Sequence, residues 1–255
     1  VFEGERAYSG KIFRSLDHSK RLHNSAEIMG FKIPFSVDQV EQAKTEALAK
    51  SGLESAYVRA LAWRGSEMMG VSAQNNTIHL AVAVWHWGDY FADKMKGIRL
   101  THAKWRRPAP DTAPCHAKAA GLYMICTLSK HAAERDGYAD ALMLDYRGQV
   151  AEATGANIFF VRDGALHTPT PDCFLNGLTR QTAIKLARER GIEVIERAIF
   201  PDELSTFSEC FITGSAAEIT PVAEIGEHVY KPGQISETLV NDYTALVNGQ
   251  LELAL

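Results

Sequence analysis

Residues 55–63 alternate without interruption: Tyr57, Arg59, Leu61 and Trp63 fall on one face of an extended segment, Ala56, Val58, Ala60 and Ala62 on the other. A period of two held over this length specifies a strand, and what surrounds it is a mixture of helices and strands. Leu22, Ala26 and Met29 line one face of a helix that Gly30 stops. Ser36 with Gln39 forms a capping box that opens a second helix, with Val37, Val40, Ala43 and Ala47 inward and Gly52 as its stop. Residues 2–8 and 11–13 read as short strands about Ser9-Gly10, and 78–87 reads as a buried strand.

The charged, aperiodic stretch 88–97 interrupts this pattern, which predicts a domain over 1–88, a linker at 89–97 and a second domain over 98–255. In the second part a strand near 98–105 leads through a proline-rich loop to a helix over 118–135. Strands follow around turns at Arg147-Gly148 and Asp163-Gly164, then a helix over 179–190, strands at 194–199 and 210–213, a hairpin-like stretch at 225–230 and a helix from Ser236. The predicted class is α/β with α+β character: a small N-terminal α/β domain and a larger, β-rich C-terminal one. Residue 1 is Val and the chain opens directly on strand-like residues, so the native N-terminus is expected to lie further upstream.

Composition narrows the function. A net charge of −4 with dispersed basic residues argues against nucleic acid, and Arg106-Arg107 reads as part of a solvated loop. The longest apolar run is too short to span a bilayer, and no signal peptide is visible. Four widely spaced cysteines indicate neither a disulfide framework nor a zinc site, which suits the cytoplasm.

Against this background two isolated charges stand out. Lys118 is the only formally charged residue between Asp111 and Lys130, and a lysine that is poorly hydrated offers a nucleophilic neutral amine near pH 7. The alternative is a lysine that extends its ammonium to water. Glu152 is the only carboxylate between Asp145 and Asp163; in apolar company it needs a cationic or protonated partner, and otherwise it is a surface strand-end glutamate. Three places could receive a phosphate: the helix start at Gly177-Leu178-Thr179-Arg180, the small residues Gly214-Ser215-Ala216-Ala217, and Arg21. Each also reads as an ordinary cap, turn or surface charge. No Walker sequence or G-x-G-x-x-G is present, so a nucleotide is not the expected guest.

Four segments occur in order: Ala117-Lys118-Ala119-Ala120-Gly121-Leu122-Tyr123, residues 150–159 from Val150-Ala151-Glu152 to Asn157-Ile158-Phe159, Leu175-Asn176-Gly177-Leu178-Thr179-Arg180, and residues 213–221 opening Thr213-Gly214-Ser215-Ala216. Together they resemble the fold type IV pyridoxal-phosphate enzymes, most closely the branched-chain amino-acid aminotransferases. The resemblance implies pyridoxal 5′-phosphate in Schiff-base linkage to Lys118. It also implies Glu152 at the pyridine nitrogen, Tyr123 at the 3′-oxygen, and Asn157 near the ring. Arg21, the Leu178 and Thr179 amides, and Ser215 would hold the phosphate.

For the substrate it implies Tyr57 with the amides around Ser215-Ala216 on the α-carboxylate, and Arg59, on the same strand face, on the distal carboxylate of glutamate. Phe2, Met69, Val71, Trp87 and Tyr90 would form apolar walls, and Arg6 would support the pocket. The expected partners are amino acids, 2-oxo acids and further copies of the chain in a homodimer or larger homo-oligomer. Asn176, Ala156 and Ser215 depart from the common pattern, where proline, glutamate and threonine are frequent. Rival readings within the fold are a D-amino-acid aminotransferase, an (R)-amine aminotransferase and aminodeoxychorismate lyase. Outside it, the rival is a phosphate-ligand binder that has lost catalysis.

Overall fold

The computed structural model describes residues 1–88 and 94–255. Contacts divide these residues into two compact units: 1–88 together with 116–121, and 94–115 together with 122–255. The segment 116–121, which the sequence places in the C-terminal domain, therefore groups with the N-terminal residues. Part of the expected linker, and Tyr90 with it, lies outside the described residues.

The first unit is a four-stranded antiparallel sheet in the order β2-β1-β3-β4, built from β1 (Glu5–Tyr8), β2 (Lys11–Ile12), β3 (Ala56–Arg64) and β4 (Ile78–His86). Two helices, α1 (Ser15–Ile28) and α2 (Val37–Ser51), pack on it. The alternation in β3 explains this: Ala60 and Ala62 are small enough to let Leu22, Ala26 and Val40 close over them in one fully buried cluster. Burying Leu22 and Val40 contributes about 1.5–3 kcal/mol each. The capping box at Ser36 forms in both directions, and Gly52 ends α2 at φ 68°, a left-handed conformation in which glycine carries no Cβ penalty. β4 is an edge strand whose side chains are partly buried or exposed, so the expectation of a buried strand over 78–87 fails: among the described residues its far side has no neighbouring strand in the sheet.

The second unit is a nine-stranded mixed sheet. Its strands are β5 (Ile98–His102), β6 (Asp140–Leu144), β7 (Val150–Ala153), β8 (Asn157–Arg162), β9 (Ala165–Pro169), β10 (Val194–Arg197), β11 (Glu209–Gly214), β12 (Glu218–Ile225) and β13 (His228–Val229). β7 pairs with β6 and, through Glu152 opposite Asn157, with β8, so that β7-β6-β5-β12-β11-β8 closes on itself. Ile158, Phe160, Ile212, Leu100, Leu142 and Val222 belong to the core of this unit.

Helices α3 (Met124–Arg135), α4 (Leu178–Glu189) and α5 (Gln234–Val247) complete the unit, with α4 and α5 against each other and against β11. A 3-10 turn, Ala120–Tyr123, precedes α3, so the helix begins after Lys118 rather than at it as the sequence predicts. The sheet is mixed: β5 runs parallel to both β6 and β12, and β10 parallel to β9. No helix among the described residues is long and apolar enough to cross a membrane.

Candidate active site

In the first unit Lys118 is held at both backbone groups: its N–H donates to Ser25 Oγ at 3.0 Å and its C=O accepts Phe2 N–H at 3.1 Å. Its Nζ stands 4.9 Å from the centre of the Phe2 ring, and the Arg59 guanidinium lies the same distance from that ring. Arg59 Nη2 donates to the Tyr57 hydroxyl at 3.3 Å, and the Tyr57 ring packs against Trp85 and Trp87 at 5.1 and 4.6 Å. Gly4 is what makes room for the phenol, since a Cβ there would collide with the Tyr57 oxygen. Arg59 Nε and Arg6 Nε are buried and meet no acceptor among the described residues, and the Arg6 guanidinium stacks on Tyr8. Lys118, Phe2, Tyr57, Arg59 and Trp87 are thus brought together within one unit. Met69 and Val71, expected as pocket walls, are solvent-exposed in the single chain.

Arg21 is engaged by a residue that sequence reasoning passed over. Its Nε and Nη2 donate to the two oxygens of Glu3 at 2.8 and 2.7 Å, and His18 Nδ1 is 2.7 Å from Glu3 Oε2. Glu3 is wholly buried. Burial opposes its charge, yet Arg21 and His18 together hold the carboxyl well below the ordinary range. Burial conversely pulls His18 down to about 4 despite the carboxylate beside it, so at neutral pH the imidazole is uncharged and donates from Nδ1. The signal was present: Glu3, Glu5 and Ala7 share one strand face, which makes both acids core-facing.

A pH dependence follows. The folded His18 pKa lies below its free value of 6.5, so the stability gained by keeping it neutral is complete above 6.5 and is lost as pH falls towards 4. Glu3, also depressed, acts in the same sense at lower pH. Between pH 7 and 4.5 the wild type is expected to lose stability relative to His18→Gln, by up to about 3 kcal/mol, read from the urea midpoints of the two proteins. Identical slopes in the two proteins would refute it. Glu5 is pushed up to about 8 by burial in spite of Lys44 at 2.8 Å, but this contribution is common to both proteins and cancels in the comparison.

In the second unit Glu152 is buried at the point where β7 meets β8. Asn157 Nδ2 donates to Glu152 Oε2 at 3.2 Å and to the Leu175 carbonyl at 3.0 Å, while its Oδ1 accepts Gly177 N–H at 3.1 Å. A backbone N–H can only donate, so this contact fixes the orientation of the amide. A Cβ at residue 177 would run into Asn157 Oδ1, so glycine is needed there. Gly177 is the N-cap of α4 and offers no side-chain cap, which leaves Leu178 and Thr179 in the first turn at the positive end of the helix. Arg180 turns away to Asn176, Pro169 and Glu196, and anchors the helix start from behind. The Gly214-Ser215-Ala216 turn leaves β11 against Gly155 and Ala156, the former 3.4 Å from a Cβ built on Gly214, and Ser215 is half-buried. Tyr123, half-buried, closes the 3-10 turn.

Arg107 is buried beside Glu152. Read from sequence as part of a solvated loop, its side chain is only 4% exposed, with Nε 3.4 Å from Glu152 Oε1 and Nη1 3.4 Å from both the Leu122 carbonyl and Cys126 Sγ. Burial works against its charge, but Glu152 together with Cys126, Tyr123 and Cys115 outweighs this and raises its pKa. The usable signal was Pro108: a residue before proline is extended, so neighbouring Arg106 and Arg107 point to opposite sides.

The donor set fits pyridoxal 5′-phosphate. In the second unit a buried carboxylate paired with arginine and amide suits a protonated ring nitrogen, and a glycine-started helix and a small-residue turn suit a phosphate; in the first, the Lys118 side chain is a primary amine of the kind that forms a Schiff base. Comparison with known proteins agrees. The family profile described as Amino-transferase class IV matches residues 1–225. A probable branched-chain-amino-acid aminotransferase of Rickettsia felis is 39% identical over 97% of this chain and 86% of its own length. Among solved structures, the branched-chain aminotransferase of Thermoproteus uzoniensis with norvaline superposes with a TM-score of 0.95 at 34% identity, covering 99% of this chain and 86% of that one. A T.th. branched-chain amino acid aminotransferase complexed with N-(5′-phosphopyridoxyl)-L-glutamate gives 0.94 at 37% identity, covering 98% and 85%. The chain belongs to the class IV aminotransferases. It is an enzyme that moves amino groups between amino and oxo acids with pyridoxal 5′-phosphate as cofactor.

Proposed function

We propose that this enzyme transfers the amino group of leucine, isoleucine and valine to 2-oxoglutarate, giving branched-chain 2-oxo acids and L-glutamate. The carrying observation is the Tyr57–Arg59–Phe2 cluster, where a guanidinium with a buried, unpartnered Nε lies among aromatic faces. Such a cluster offers an apolar wall to a leucine-like side chain and a charged fork to the distal carboxylate of glutamate. The similar enzymes carry the branched-chain name, and their complexes with norvaline and with a phosphopyridoxyl-glutamate adduct represent those two side-chain types.

In this reading the bound cofactor supplies the electron sink for charge developing at the substrate α carbon. Lys118 Nζ would hold it covalently and, once displaced by the incoming substrate amine, would take the proton from the α carbon as general base and deliver it to the cofactor's C4′ carbon as general acid. Glu152, held by Arg107 and Asn157, keeps the proton on the ring nitrogen. Arg21, the first amides of α4 and Ser215 hold the phosphate, and Tyr123 donates to the 3′-oxygen. Tyr57 and the amides at Ser215-Ala216 orient the α-carboxylate, with Arg6 in support. A homodimer or larger homo-oligomer is part of the proposal: Met68, Met69 and Val71 together form a strongly exposed apolar segment that a second copy would cover. Cytoplasmic residence accords with four free, buried cysteines.

The test is Arg59→Ala, assayed as half-reactions with L-leucine and L-glutamate below saturation. Loss of a charge-assisted contact should lower kcat/KM for glutamate by about 1.5–3 kcal/mol, roughly ten- to over a hundredfold, and that for leucine much less. Equal losses would assign Arg59 to the α-carboxylate or to the fold. A preference for D-alanine or an (R)-amine over L-leucine in the wild type would favour the other activities of this fold.

A further inference from the structure

His18, Arg21 and Ser25 occupy positions i, i+3 and i+7 of α1 and so lie along one face of the helix. Ser25, fully buried, accepts the Lys118 N–H. Phe2 N–H donates to the Lys118 carbonyl, and the next residue, Glu3, takes the Arg21 guanidinium through two bonds and His18 through a third. Glu3 N–H is itself tied to the Ala60 carbonyl of β3 at 2.7 Å. Lys118 lies in neither helix nor strand, so these contacts, rather than a regular ladder, fix its main chain.

On the reading above, Lys118 and Arg21 grip opposite ends of one small rigid molecule, its carbonyl carbon and its phosphate, so their separation must match that molecule. Arg21 and Ser25 are one helical turn apart, which supplies a fixed spacing of about 6 Å along the axis. We infer that this face of α1 sets the distance between the two attachment points, with Ser25 as a positioning residue for Lys118 and Glu3 as a positioning residue for Arg21.

Two probes separate the roles. Pyridoxal 5′-phosphate binds through both ends, whereas pyridoxamine 5′-phosphate forms no bond with lysine and reports the phosphate and ring contacts alone. In Ser25→Ala, formation of the lysine-bound absorbance should slow about ten- to a hundredfold, while the Kd for pyridoxamine 5′-phosphate stays unchanged. Ser25→Cys, which keeps volume and a weak acceptor, should lie between. Glu3→Gln should chiefly weaken pyridoxamine 5′-phosphate. A Ser25→Ala protein that loses both probes equally, or neither, overturns the inference; if it does not fold, Ser25→Cys carries the same comparison. Borohydride labelling keeps this separate from the parent reading: label on another lysine overturns that reading, whereas label on Lys118 with unaltered Ser25→Ala kinetics overturns only the inference.

Discussion

Replacing Lys118 by alanine is expected to remove the yellow, borohydride-reducible species and to lower the single-turnover rate with L-leucine by at least about 10²–10⁴-fold, the range for loss of a positioned acid–base group. The protein should stay folded, because Lys118 contributes its backbone, not its side chain, to the contacts with Ser25 and Phe2, and alanine keeps the backbone. Peptide mapping of reduced wild-type enzyme and rapid-mixing absorbance of the variant are the measurements. A variant that still traps the cofactor and turns over at the parent rate would remove Lys118 from the chemistry.

The second large effect is expected at Arg107. With its guanidinium gone, Glu152 is a buried carboxylate that has lost the cation beside it, while the neutral amide of Asn157 stays in place. Breaking such a pair by removing one partner costs about 3–5 kcal/mol, whereas replacing both is far milder. Arg107→Met should therefore lower the urea midpoint of the cofactor-free protein sharply, and Arg107→Met with Glu152→Gln should restore most of it. Glu152→Gln alone should still take up cofactor but lose much of the rate of α-proton removal, as the ring nitrogen is no longer held protonated. Additive losses in the double variant would show that the two side chains do not act as a pair.

Features written in local spacing were legible from the sequence. The alternation of β3, the Ser36–Gln39 capping box and the Gly52 stop are decided within a few residues, and the structure has them where spacing puts them. Lys118 and Glu152 stood out because each is a charge without charged neighbours. Arg107 and Glu3 did not, because what makes them significant is a partner far along the chain: Glu152 for one, Arg21 and His18 for the other. The same holds for the sheet. β12 pairs in parallel with β5, more than a hundred residues earlier, and no local periodicity encodes that choice. The edge position of β4 was likewise invisible, since an apolar run reads the same whether one side or two are covered.

Residues 116–121 belong by their contacts to the unit formed by 1–88, although the chain on both sides of them belongs to the other. Chimeras between this enzyme and a relative therefore have no single safe crossover point near residue 90. A graft of 98–255 would bring a foreign Lys118 segment to the native Ser25 and Phe2, and its success would depend on how well two lineages agree at those two hydrogen bonds. Breakpoints that keep 116–121 with the N-terminal parent preserve them, so recombination libraries should treat that hexapeptide as part of the first module.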